Sequence, residues 1–476
     1  MRKKIHLIGI CGTAMATLAL LLKQRGYQVA GSDEHVYPPM SDLLHEHGIP
    51  LPTGYDAGHV PPDLDLVVIG NAVSRGNPEV EVVLDRKMRY ASLPEVVRNE
   101  FLWDRRSLVV SGTHGKTTTS FMLAWILTEA GADPSFLVGG ISRNLGTSGR
   151  LGAGSAFVIE GDEYDSAFFD KTAKFLKYLP EVVVVNNLEF DHADIYNNLD
   201  ELRVSFRRLV RMIPRTGRLI VCADDPEARE LALSADTPCP VETFGLETSA
   251  DWSAREIAYG TVETSFDVVR QGAAAVRVTL PMLGDFNVRN ALGAIAAAAA
   301  VDVAPEQAAR ALATFLGVKR RLEIRGVARD VTVYDDFAHH PTAVRETLLG
   351  LRSAGGAGRL WAVFEPRSAT SCRRIFQTEF AEAFRHADEV VVAAVQRTTI
   401  PDDDRLSEQE LVDDLRAIGV SARFESTVDA IVRTVAANAA AGDRVVVMSN
   451  GGFGGIHQKL LTALEGGEDE GRDVAP

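Results

Sequence analysis

The stretch Leu108-Val-Val-Ser-Gly112-Thr113-His114-Gly115-Lys116-Thr117-Thr118 runs from an apolar strand through a loop bounded by glycines into a helix. The strand is read as Leu108–Val110, and the helix as Thr118–Ala130, closed by Gly131. Such a junction turns backbone N–H groups and a helix N-terminus toward an anion. Lys116 then reaches β and γ phosphates, and the Thr117 hydroxyl is placed to hold Mg²⁺. The strict Walker pattern wants glycine at position 110, where this chain has Val110, so the loop is a shortened GxxGKT variant.

Working outward, two more apolar strands end in polar loops. Phe157–Ile159 leads into Glu160-Gly-Asp-Glu163-Tyr-Asp165, and Val182–Val185 into Asn186-Asn-Leu-Glu189-Phe-Asp191-His192. Acids at the carboxyl end of a strand in a nucleotide domain supply the hard oxygens that Mg²⁺ takes. Read alone, the first group is more simply a solvated acidic turn, and a lone His192 is as readily structural as a ligand. Beyond them, 240–282 is rich in Thr and alternating Val, which fits short antiparallel strands, and Asn287–Val301 and Pro305–Leu316 read as helices.

The amino-terminal part alternates strand and helix, with Ile5–Ile8, a turn at Gly9–Gly12, a helix at Ala14–Gln24, and strands Tyr27–Ala30 and Leu66–Ile69. The turn is not GxGxxG, because Cys11 and Ala14 take the second and third glycine positions. Asp33 nevertheless ends the second strand, where a ribose or other polar group is read. Alone, this unit allows a nicotinamide enzyme, but that reading leaves the Gly112–Thr118 loop idle. The carboxyl-terminal part has strands Thr332–Tyr334, Leu360–Phe364, Glu389–Ala393 and Arg444–Met448, and polar clusters at Lys319-Arg320-Arg321, Asp335-Asp336-Phe-Ala-His339-His340-Pro341 and Asn450-Gly-Gly-Phe-Gly-Gly455. The double histidine is open to reading as a metal pair, although the adjacent Pro341 favours a ligand-facing loop.

With 476 residues, about three domains are expected. The net charge of −15 argues against a nucleic-acid-coating or membrane-surface protein. Four cysteines without paired spacing give neither a disulfide framework nor a zinc ribbon, so a reducing, cytoplasmic setting is expected. The apolar run Ala291–Val301 is too short to span a bilayer.

Taken in order, these motifs resemble the Mur ligase family, ATP-dependent amide-bond ligases of cell-wall precursors. The resemblance implies an α/β architecture of three domains: a Rossmann-like UDP-sugar domain at 1–106, a central P-loop ATPase-like domain at 107–317, and a dinucleotide-fold-like domain at 318–464, followed by a tail at 465–476. It implies ATP contacts at Gly112–Thr118, Asn287, Asn290, Arg321, Asp336, His339 and His340. Mg²⁺ would sit at Thr117, Glu160 and His192, with Lys116, Glu160 and His192 catalytic. Gly9, Cys11, Gly12, Thr13, Ser32, Asp33 and Ser74 would bind the UDP-sugar. Segment 200–210 has no lysine, so the carbamylated lysine of several family members is missing, as in the branch that adds L-alanine. That puts more of the Mg²⁺ work on Glu160 and His192.

Val36-Tyr-Pro-Pro-Met40, Glu365-Pro-Arg367-Ser368 and Ser449-Asn450-Gly451-Gly-Phe-Gly-Gly-Ile-His457 resemble the branch that attaches a recovered tripeptide, L-alanyl-γ-D-glutamyl-meso-diaminopimelate, to UDP-N-acetylmuramate. L-alanine addition is the alternative. Arg367, Asn450 and Gly451 are the candidates for the acceptor peptide.

Overall fold

A computed structural model describes residues 2–36, 40–191, 195–196, 198–233, 237–247, 249–397 and 400–466. His192 and most of the expected tail therefore lie outside the described residues. Three large sheets and one two-stranded hairpin organise the described residues.

The first sheet has four parallel strands in the order Gln28–Ser32, Lys4–Ile8, Leu66–Ile69, Tyr90–Ser92. The second and third strands in sequence lie on opposite sides of Lys4–Ile8, so a crevice opens at its carboxyl end between the Gly9 turn and the loop after Ile69. The short strand Tyr90–Ser92 carries too few apolar residues to show in the sequence pattern.

The central sheet has ten strands. In its parallel core, Arg106–Ser111 lies between Ala156–Gly161 on one side and Pro180–Val185 on the other. The loop after Ser111 is thus flanked by the loops after Gly161 and Val185. Trp252–Tyr259, Thr264–Arg270 and Ala273–Leu280 form the antiparallel meander expected in 240–282, while Val241–Gly245 joins the parallel core. The helix Lys116–Glu129 is buried on nearly every side, packed on this sheet beside the helix Asp285–Ala299. Alanines 294 and 296–298, all fully buried, have small side chains that let the second helix come close. This apolar run is therefore a core helix, and no helix among the described residues is long and apolar enough to cross a membrane.

The third sheet runs Glu323–Ala328, Val331–Asp336, Arg444–Met448, Leu360–Phe364, Glu389–Ala393, Ser421–Glu425, parallel except for the antiparallel first strand. Its three central strands end at Asp336, Met448 and Phe364, which brings the three polar loops of this part of the chain to one edge.

Contacts tie the sheets together. A hairpin, Asp165–Ala167 with Asp170–Ala173, follows the acidic loop of the central sheet. At its tip Phe169 meets Tyr90 of the first sheet edge-on at 4.9 Å. Arg289 binds Glu346 at 2.7 Å across the central and third sheets, and Thr370 donates to Asp191.

Candidate active site

A continuous cleft of 1670 Å³ connects the first turn, the central loop and the start of the third sheet. On the central loop, Gly112 and Gly115 have φ of +126° and +80°. A Cβ at Gly115 would lie 2.4 Å from Asn290 Oδ1, so only glycine fits. Asn186 and Asn187 pin the loop from the neighbouring strand. The His114 N–H donates to Asn187 Oδ1 at 2.7 Å, and Asn186 Nδ2 donates to the His114 carbonyl at 3.2 Å.

Lys116 Nζ donates to the Gly112 carbonyl at 2.7 Å and to Glu163 at 2.8 Å. Burial works against its charge, but Glu163, Asp162 and Glu160 outweigh burial and hold the ammonium above its ordinary value. Thr117 Oγ1 donates to Glu160 Oε1 at 2.7 Å, and the Gly139 N–H donates to Glu160 Oε2 at 2.6 Å. Burial and then Asp162 push the Glu160 carboxyl upward. A hydroxyl and a carboxylate destabilised by burial and a second acid form a hard-oxygen set that a divalent cation would relieve, so these residues fit Mg²⁺.

The third sheet contributes Arg321, whose Nη2 lies 3.4 Å from Thr117 Oγ1 and whose guanidinium sits over Phe337 at 4.9 Å. Its neighbours Arg320 and Leu322 have φ of +61° and +48°, a strained turn that aims Arg321 across the cleft. The Arg320 guanidinium grips the carbonyls of Ser449 and Gly451, both at 2.6 Å. Asn287 and Asn290 line the cleft but use their amides locally: Asn287 Nδ2 donates to Leu283 O at 2.8 Å, and Asn290 Nδ2 to Asn287 Oδ1 at 3.2 Å.

His340 begins the helix Pro341–Ser353, and its Nδ1 accepts from the Thr342 N–H at 3.3 Å. Its Nε2 faces the Phe190 carbonyl at 3.3 Å. Burial, with His114 beside it, lowers His340 to about 4. Glu189 Oε2 lies 3.0 Å from His114 Nε2 and 3.4 Å from His340 Nδ1; burial would raise this carboxyl, but the two histidines bring it to about 2.

Two expectations change. Ser32 does not face the cleft: it is fully buried and donates to Glu79 at 2.6 Å. That glutamate also binds His6 and His59, each at 2.9 Å. Gly9, Cys11, Gly12, Thr13, Asp33 and Ser74 do line the cleft, with Asp33 accepting from the Cys11 N–H at 2.8 Å. Asp336 lines the cleft and gives its carboxylate to the Leu322 and Ala338 N–H groups, at 2.7 and 2.8 Å, which braces the turn that carries Arg321. Arg367, Asn450 and Gly451 share the carboxyl edge of the third sheet but do not line the cleft. Arg367 is half exposed and packs over Gly451, whose Cβ would meet it at 2.5 Å. Sequence reasoning missed Glu163 as the partner of Lys116, and Asn186 and Asn187 as loop braces. All three stand within quoted motifs, but only the strand order shows that they face the loop.

The Mur ligase family catalytic domain matches residues 4–100, the Mur ligase middle domain 110–298, and the glutamate ligase domain of Mur ligases 320–451. The UDP-N-acetylmuramate–L-alanyl-γ-D-glutamyl-meso-2,6-diaminoheptandioate ligase of Escherichia coli is 45% identical over 97% of this chain and 98% of its own. The chain belongs to the Mur ligase family. It is accordingly an ATP-dependent ligase of the kind that forms amide bonds. Among Mur ligases, a crystal structure of a murein peptide ligase from Psychrobacter arcticus aligns with a TM-score of 0.73 at 40% identity, covering 97% of this chain and 99% of the other. The UDP-N-acetylmuramate–L-alanine ligase of an Arthrobacter species is 37% identical over 92% of this chain and 90% of its own.

Proposed function

We propose that this ligase joins the tripeptide L-alanyl-γ-D-glutamyl-meso-diaminopimelate to UDP-N-acetylmuramate, in the cytoplasm, as a step of peptidoglycan recycling. The observation that carries the reading is the 45% identity, over nearly the full length, to a ligase named for that acceptor, against 37% for the ligase named for L-alanine.

In this reading the first turn, with Gly9, Cys11, Gly12, Thr13 and Asp33, holds the UDP-sugar, and the loop Gly112–Thr118 holds ATP. The muramoyl carboxylate attacks the γ-phosphorus, and ADP leaves. The free amine of the peptide then attacks the acyl phosphate, and phosphate leaves from the tetrahedral intermediate. Lys116 exchanges Glu163 for phosphate oxygens, and Arg321 reaches the γ-phosphate from the third domain. Fixed charges of this kind supply most of the catalysis in phosphoryl transfer. Thr117, Glu160 and His192 would hold Mg²⁺, which when bound neutralises charge on the phosphates. Contact between the central and third domains at Arg321–Thr117 and Thr370–Asp191 closes the cleft over the reacting groups and excludes water from the acyl phosphate. The units 1–106, 107–317 and 318–464 are the domains we assign.

ADP release, measured with UDP-N-acetylmuramate and either the tripeptide or free L-alanine, tests the reading. The tripeptide is expected to be far the better acceptor. Preference for L-alanine would make the chain an alanine-adding ligase instead.

A further inference from the structure

His114, Glu189 and His340 converge where the central and third domains meet, their ligand atoms all within 4.8 Å of one another. We propose that these three side chains form a zinc site in the nucleotide-free enzyme, distinct from Thr117 and Glu160 and linking the two domains.

The argument begins with the His340 tautomer. Nε2 faces the Phe190 carbonyl, which can only accept, so Nε2 carries the proton. Burial favours the neutral ring, in which Nδ1 carries the lone pair. That lone pair lies 3.4 Å from Glu189 Oε2, an ionised carboxylate oxygen that is also an acceptor. The Thr342 N–H donates to Nδ1 at 3.3 Å, a contact that a metal on Nδ1 would replace. Glu189 Oε2 faces His114 Nε2 at 3.0 Å on its other side, so the carboxylate stands between two imidazole nitrogens, and one cation there would bind all three side chains.

The spacing selects the kind of cation. Zinc bonds of about 2.0–2.1 Å in a tetrahedron place neighbouring ligand atoms about 3.3 Å apart. The observed separations are 3.0 Å for His114 Nε2 to Glu189 and 3.4 Å for Glu189 to His340 Nδ1. The imidazole centroids are 4.7 Å apart at 44°, so the rings converge rather than stack. Two imidazoles and one carboxylate suit zinc better than Mg²⁺, which prefers oxygen ligands alone. The Nε2–H to carbonyl bond of His340 is the outer support that metal-bound histidines usually have. The cluster opens on the cleft, which leaves a fourth position for water. Because His114 belongs to the phosphate loop, zinc and ATP would compete.

The test uses the full-length, nucleotide-free protein and Zn²⁺ alone, by titration calorimetry, with Co²⁺ absorption reporting tetrahedral geometry. One equivalent is expected to bind, with visible tetrahedral Co²⁺ bands. Loss of a group that merely supports a metal ligand costs 10–100-fold in affinity, so Glu189→Gln and His340→Gln should each weaken zinc about 100-fold. His114→Asn serves as a third variant should either of the others unfold, which melting by circular dichroism would show. Glu160→Gln should bind zinc as the wild type does. Unchanged zinc affinity in folded Glu189→Gln or His114→Asn, or loss of binding in Glu160→Gln, would overturn the proposal.

Discussion

The junctions at 8–13 and 111–116 share one backbone device and differ in what surrounds it. Each carries a glycine at φ of +80°, Gly9 in one and Gly115 in the other, and each opens a helix whose first N–H groups receive no side-chain cap. Both therefore offer free donors to a ligand. At the first, Asp33 already accepts from the Cys11 N–H, and no lysine lines the turn. At the second, Asn186 and Asn187 hold the loop, and Lys116 stands among Glu160, Asp162 and Glu163. The turn alone thus specifies only that something polar binds. The flanking strands decide whether a lysine and the acids for a cation stand beside it.

Substitutions can press on that difference. The largest effect is expected for Lys116→Ala, which removes the ammonium of the second junction: ADP formation should fall at least about 100-fold, or about 2.7 kcal/mol, in a folded protein. Near-normal turnover would erase the distinction between the two turns. Next come the paired glycines. Alanine at either position takes on the left-handed strain of about 1–2 kcal/mol. At Gly115 the new methyl also meets Asn290 and Asn186 at 2.4 and 2.8 Å, whereas at Gly9 it meets only Val73 Cγ2 at 3.0 Å. Thermal melting should show Gly115→Ala clearly less stable than Gly9→Ala, and equal melting temperatures would mean that the asparagine brace is loose.

His192→Ala should raise the Mg²⁺ concentration for half-maximal activity by about tenfold while leaving sugar binding intact. An unchanged Mg²⁺ titration would make His192 structural. Asp33→Ala breaks the bond that shapes the first turn. It should raise the KM for UDP-N-acetylmuramate by about tenfold, the range of a charge-assisted hydrogen bond, and leave the KM for ATP alone. The smallest effect belongs to Arg367→Ala, a few-fold rise in the tripeptide KM with the ATP KM unchanged. No change would remove Arg367 from the acceptor site and leave the function standing.

Much of this was legible before any coordinates. The strands Leu66–Ile69, Leu360–Phe364, Glu389–Ala393 and Arg444–Met448 coincide with their apolar runs, because strands buried on both faces are apolar throughout. Tyr90–Ser92 and Ser421–Glu425 sit at sheet edges, where half-exposed residues break the run, and could not be read. The Gly-Lys-Thr loop was equally plain, since a phosphate loop is local: its glycines, lysine and helix start are contiguous. Ser32 and Asp336 show the limit. Their motifs were visible, but what each side chain binds depends on residues that the motif does not contain, Glu79 for one and the turn at Leu322 for the other. By itself the sequence determined the layered α/β fold, the phosphate loop and the family, because each rests on local pattern. Only the tertiary structure decided that Glu163 holds Lys116, that Arg321 crosses to Thr117, and that His114, Glu189 and His340 meet, because strand order and domain contact bring together groups that no spacing along the chain relates.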